Sequence, residues 1–170
     1  ELEREKRFQD IEERIEELLV QRRILNLFNE LNVSKISIKD IIAECINLSR
    51  AELCFVGVEK SGKTFIHDIF GVNEEEYAKK ECPSGISIAS LVLEGGRELL
   101  LPYNSGFLRE KPLLFPGESI RAKQFFGFPL VIEDIAIGVI GFVSISDTGL
   151  RENSINNLRD ISTFLSLYYS

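Results

Sequence analysis

The 170-residue sequence has no methionine, one histidine and three cysteines, and each shortage narrows what the chain can do. A lone His67 supports no Ser-His-Asp or Cys-His catalytic arrangement. With only three scattered cysteines (Cys45, Cys54 and Cys82) beside it, it supports no four-ligand zinc site either. An odd cysteine count without paired spacing argues against a disulfide framework and fits a reducing, cytoplasmic compartment. Because methionine is missing even at position 1, the expectation is a fragment of a longer chain. The opening Glu-Leu-Glu-Arg lacks the basic and then apolar run of a signal peptide. Long apolar runs are also scarce: the stretch from Pro129 to Ile145 is cut by Glu133-Asp134, too short and too charged for a transmembrane helix. Positive charge is in deficit, with 20 Lys and Arg against 27 Asp and Glu. A formal charge of -7 disfavours a nucleic-acid backbone or an anionic membrane surface as partner. What is present, 44% hydrophobic and 28% charged residues, suits one ordinary folded domain with a decorated end.

Residues 1 to about 31 contain neither Gly nor Pro and are dense in Glu, Arg, Leu and Ile, a helix composition. Phe8, Ile11, Ile15, Leu18 and Leu25 fall at heptad spacing, with Arg22 at the one polar seam position. Two readings follow: an amphipathic helix lying on its own domain, or a two-stranded coiled coil. The narrow apolar stripe of so charged a segment favours the coiled coil. A second helix is predicted from Ser37 or Ile38 to about Leu48, with Ser37 as N-cap and Asp40 as its capping-box acid.

The period then changes. Leu53–Glu59 and Thr64–Phe70 read as a hairpin turned at Lys60-Ser61-Gly62-Lys63. Asn73 to Glu81 reads as a loop with a helical turn. Ser87–Glu94 reads as a short helix stopped by Gly95-Gly96, and Glu98–Leu101 as a strand. Tyr103 to Ser119 forms a long loop, and Lys123–Ile132 with Ile135–Ser146 a second hairpin. A closing helix spans Glu152 to Tyr168. Hairpins imply an antiparallel sheet, with helices from both chain ends packed on one face of it.

Gly57-Val-Glu-Lys-Ser-Gly-Lys-Thr64 matches the phosphate-binding pattern G-x-x-x-x-G-K-[ST] letter for letter. A phosphate cradle needs a helix N-terminus after the loop. Here the β-branched and aromatic run from Thr64 to Phe70 predicts a strand, so a coincidental hairpin is preferred to a nucleotide site. Cys82-Pro83 resembles a dipeptide of haem-regulated proteins, but an ordinary cysteine at a turn explains it as well. Cys45 and Cys54 read as buried small hydrophobes, and His67 as a surface or satisfied strand residue. Glu74-Glu75-Glu76 lacks the spacing of a metal loop. No metal site is expected, and no cofactor is named by these residues.

From about Ile24 to the C-terminus the chain resembles a GAF domain. The resemblance is carried by GISIASLVLEGGRELLLPYN (Gly85–Asn104) and KQFFGFPLVIEDIAIGVIGFVSI (Lys123–Ile145). It implies an α+β fold: an antiparallel sheet of five or six strands, terminal helices on one face, and loops and short helices over a ligand pocket on the other. It divides the chain into a coiled-coil signalling helix, residues 1–23, and a sensory domain, residues 24–170. Members of the family are mostly sensory modules that bind cyclic nucleotides, tetrapyrroles, haem or small metabolites, and many only dimerise. The Asn-Lys…Phe-x-x-x-Asp-Glu signature of cyclic-nucleotide binders is missing, since Leu150-Arg-Glu-Asn-Ser-Ile155 stands in its place. No Cys-His dipeptide is present for a covalent bilin.

The pocket implied by this resemblance is bounded by Gly85, Ile86 and Ser87, by Tyr103, Asn104 and Phe107, and by Phe115, Arg121, Phe126 and Phe128. An inward Arg121 would favour an anionic ligand. The alternative is that these aromatics simply fill the space under the loop. The resulting expectation is a non-catalytic sensory or dimerisation module of a signalling protein. It forms a parallel homodimer through Phe8, Ile11, Ile15, Leu18, Leu25 and Phe28, binds a small molecule or a partner, and transmits its state through the N-terminal helix. A nucleotide hydrolase using Gly57–Thr64 is the alternative.

Overall fold

A computed structural model describes residues 1–33, 38–71, 74–78 and 80–170, and the side chains of these except at 16, 17, 20, 21 and 24–33. The chain divides into two compact units, Glu1–Leu48 and Ser49–Ser170. The first holds helix α1 (Leu2–Val33) and nearly all of α2 (Ile38–Ser49). Arg23 Nη1 of α1 pairs with Glu44 Oε1 of α2 at 3.2 Å. The proposed cap Ser37 lies outside the described residues.

The second unit is built on a six-stranded sheet: β1 (Leu53–Lys60), β2 (Lys63–Gly71), β3 (Glu81–Cys82), β4 (Leu99–Leu101), β5 (Gln124–Ile132) and β6 (Ile135–Ser144). Its spatial order is β3-β2-β1-β6-β5-β4, and every neighbouring pair is antiparallel. The predicted hairpins are the β1–β2 and β5–β6 pairs. Glu81–Cys82 adds an edge strand that the sequence reading placed in a loop, because two residues are too few to show alternation.

At the β1–β2 turn, Ser61 (φ 54°) and Gly62 (φ 78°) both take the left-handed conformation between the paired Lys60 and Lys63. That is the two-residue turn whose twist matches the strands. Gly57–Thr64 is therefore a hairpin and Thr64 begins no helix, so the geometry of a phosphate cradle is absent from this string.

Alternation assigns the faces. Leu53 and Phe55 of β1, Phe125 of β5, and Val139 and Val143 of β6 join one buried cluster with Ile88, Ala89 and Val92 of α4 (Ile88–Gly95). The opposite face carries Phe128 and Phe142, whose rings meet edge to face at 6.3 Å. Helix α6 (Ile155–Tyr169), entered through a 3-10 turn at Glu152–Ser154, packs on β5 and β6 there. Ser166 Oγ of α6 accepts from Val131 N of β5 at 3.0 Å.

Helix α4 is fixed at both ends. Ser87 Oγ accepts from Ser90 N, and Gly96 (φ 62°) donates back to Val92 and Leu93. These are the side-chain N-cap and the left-handed C-terminal glycine that orphan helix-end groups require.

Candidate functional site

The long β4–β5 connection, residues 102–123, lies against α4 and contains the short helix α5 (Gly106–Glu110). Two of the free N–H groups in the first turn of α4 are satisfied by this segment: Ile88 N donates to Pro112 O at 2.9 Å and Ala89 N to Leu113 O at 3.0 Å. Helix α3 (Glu74–Tyr77) holds the other side. Tyr77 is fully buried and its hydroxyl accepts from Ile120 N at 3.2 Å, while Ser119 N donates to Glu76 Oε1 at 3.0 Å. Burial raises the Tyr77 hydroxyl above its ordinary value. Inside the segment, the Glu118 carboxylate accepts from Leu113 N and Leu114 N. Burial, the largest influence on Glu118, raises its carboxyl despite those amides.

The residues expected to line one pocket are not brought together. Ser87 is buried as the α4 cap, whereas Ile86 beside it is exposed. Gly85 (φ 72°) forms the turn before α4 and its N–H donates to Glu94 Oε1 at 3.2 Å. Tyr103 is exposed, its hydroxyl donating to Asp147 Oδ1 at 2.6 Å. Asn104 (φ 63°) donates its backbone N–H to Lys123 O at 2.8 Å. Phe107 is exposed on α5. Phe115 packs on Tyr77 with ring centroids 5.1 Å apart and carries Lys80 Nζ 4.9 Å above its own ring. Phe126 and Phe128 are buried on the α6 face, and Phe125 is the residue that faces α4.

Phe125 lies parallel to Phe55, with centroids 6.1 Å apart. Both rings occupy the room left by Gly127 and Gly141, which are paired across β5 and β6. Glycine at these two positions was the signal that the sequence reading passed over. It shares a face with Phe125 and marks that face as the one covered by rings.

No protein-family model matches the sequence, and none of the curated proteins does. Solved structures do. The GAF domain of the Acinetobacter phosphoenolpyruvate-protein phosphotransferase superposes with a TM-score of 0.71 at 19% identity, over 89% of this chain and 91% of that one. The A. aeolicus nlh2 GAF domain, in an inactive state, gives 0.67 at 14% identity, over 92% and 97%. This chain has the GAF fold. Free methionine-R-sulfoxide reductase from Neisseria meningitidis, solved with its substrate, gives 0.66 at 13% identity, over 88% and 87%. The fold is thus shared here by GAF domains of other proteins and by an enzyme, and function has to be read from residues.

All three cysteines are buried and none is in a disulfide. Burial, with smaller contributions from Glu118 and Glu81, pushes the Cys82 thiol up to about 12, and burial likewise pushes Cys45 up to about 12. A nucleophilic cysteine needs the opposite environment, exposed and electropositive. Among the described residues, no group of three or more His, Cys, Asp or Glu is placed to hold a metal ion. None of the described helices is long and apolar enough to cross a membrane.

Proposed function

We propose that the chain is a non-catalytic, cytoplasmic sensory module that forms a parallel homodimer through α1 and transmits its state along that helix. The observation that carries this reading is the stripe Phe8, Ile11, Ile15 and Leu18, exposed at 64%, 57%, 53% and 47%. These residues recur at three- and four-residue spacing on one side of α1. An unpaired apolar stripe of this kind marks an interface. Leu25 and Phe28, which extend the proposed seam, lie outside the described side chains.

Burying a large side chain is worth roughly 1.5–3 kcal/mol. Several such pairs offset much of the cost of association. Residues 1–23 act as the signalling helix and 24–170 as the sensory part. The GAF fold supports small-molecule sensing, and the burial of all three cysteines disfavours a nucleophilic thiol.

Sedimentation equilibrium of the whole chain at micromolar concentration tests the dimer. A dimer is expected, and Ile11→Asp with Ile15→Asp should weaken it at least tenfold. A parent chain that sediments as a monomer overturns the reading. Native mass spectrometry of protein isolated from its own host tests the sensory part, with a retained small molecule as the expected result.

A further inference from the structure

The segment joining β4 to β5 borders a half-open cavity of about 260 Å³ to which no residue of the sheet contributes. Arg109, Lys111 and Arg121 line it. Four cations elsewhere are engaged: Arg23 with Glu44, Lys123 with Asp147, Arg159 with Glu98, and Lys80 over Phe115. These three have no carboxylate partner among the described residues, in a chain with seven more acidic than basic side chains. Arg109 and Arg121 are exposed and Lys111 is half-buried, so water screens their mutual repulsion and leaves their donors available to an anion.

Two carboxylates share the wall. Glu118 directs its oxygens to Leu113 N and Leu114 N rather than to the cations. Glu110 is exposed and offsets one charge of the three. Leu113 and Ile120 are buried and give the cavity an apolar floor, and Pro112 and Pro116 fix the backbone around it. A few polar groups over apolar walls is the make-up of small-molecule sites. The volume falls below the roughly 300–1,000 Å³ of drug-sized pockets, which selects a smaller ligand. Arginine forks match the oxygens of phosphate and carboxylate bidentately, with lysine as a point charge.

We propose that this loop cavity binds a small dianionic metabolite, a phosphate ester or a dicarboxylate, through Arg109, Lys111 and Arg121. The proposal deepens the sensory reading by naming its ligand class, and it rests on that reading only for what the ligand reports. The same loop carries the carbonyls that hold the first turn of α4 and the amide held by Tyr77. An anion drawing the cations inward therefore acts on two helices at once.

Inorganic phosphate and succinate, titrated separately into the whole chain at low ionic strength, serve as probes. Backbone amide shifts are followed by NMR, with sodium chloride at matched ionic strength as the reference. Saturable shifts centred on residues 108–122, with the Ile88 and Ala89 amides moving alongside them, are expected from at least one probe. The stronger probe identifies the phosphate or the dicarboxylate class. Arg109→Ala and Arg121→Ala should each weaken binding at least tenfold, Arg121→Lys should weaken it less, and Lys123→Ala should leave it unchanged. Shifts that sodium chloride reproduces, no saturation with either probe, or full affinity in the Arg109→Ala/Arg121→Ala double variant would each overturn the site. Sedimentation of the same samples reports the dimer separately, so the site can fail while the dimer stands.

Discussion

Gly127 and Gly141 show how a single missing side chain fixes the packing above a sheet. A Cβ at Gly141 would sit 2.4 Å from Phe55 Cε1 and Cζ and 2.8 Å from Phe125 Cε2. One at Gly127 would sit 2.5 Å from Phe125 Cζ and 3.0 Å from Val92 Cγ2 of α4. The rings lie on bare backbone, and α4 rests beside them. Neither aromatic can retreat, because both are fully buried. Gly141→Ala is therefore expected to destabilise by about 1–3 kcal/mol, the range for overpacking a closed core. Urea unfolding should show a lower midpoint with an unchanged slope. A variant as stable as the parent would mean that the rings have room the structure does not show.

At the scale of elements, the two hairpins use the same turn with different chemistry. Ser61-Gly62 places a glycine where it is favoured, whereas Glu133 (φ 50°) and Asp134 (φ 65°) adopt left-handed geometry with full side chains. Left-handed backbone costs a non-glycine residue about 1–2 kcal/mol, and Asn-Gly is the preferred occupant of such a turn. Glu133→Asn with Asp134→Gly should thus stabilise the protein by about 1 kcal/mol, read as a rise in the thermal midpoint. This explains why both hairpins were legible before the structure: Gly62 announced one, and in the other charge alone interrupted a β-rich run. Ser87 and Gly96 likewise announced the ends of α4 by their chemistry. Other features left no such mark. Glu81–Cys82 is too short to alternate, and the β-bulges at Val56/Gly57 and Leu130/Val131 interrupt a period without changing composition. Alternation separated Phe125 from Phe126 and Phe128 but did not say which face lay under α4. Lys111 was likewise hidden, since nothing local predicts that it meets Arg109 and Arg121 around a cavity.

For the molecule as a whole, acid stability follows from where its carboxylates are engaged. Burial works to raise Glu52, but hydrogen bonds from Ser146 Oγ and N, Ile145 N and Ser144 Oγ together hold it below its ordinary 4.5. Hydrogen bonds from Arg159 hold Glu98 below the same value. A carboxyl depressed in the folded state binds fewer protons than in the unfolded chain. Its stabilisation is present in full above the unfolded value and is lost as pH falls through the folded one. Glu118 has the opposite sign: its raised carboxyl disfavours folding as pH climbs past 4.5, and acidification relieves that cost. The formal charge of -7 also relaxes on acidification and obscures the balance in the parent alone. Variants cancel that background. Glu52→Ala leaves the amides of Ile145 and Ser146 without their acceptor, a loss of about 1–3 kcal/mol at pH 7. Measured by urea unfolding between pH 7 and pH 3, the gap between parent and variant should narrow below pH 4.5. For Glu118→Gln the parent should instead gain on the variant as pH falls toward 4.5 from above. A Glu52→Ala gap that stays constant down to pH 3 would show that these hydrogen bonds bind neutral and ionised carboxyl alike, and the acid limb would then have to come from Glu98 and the exposed ion pairs.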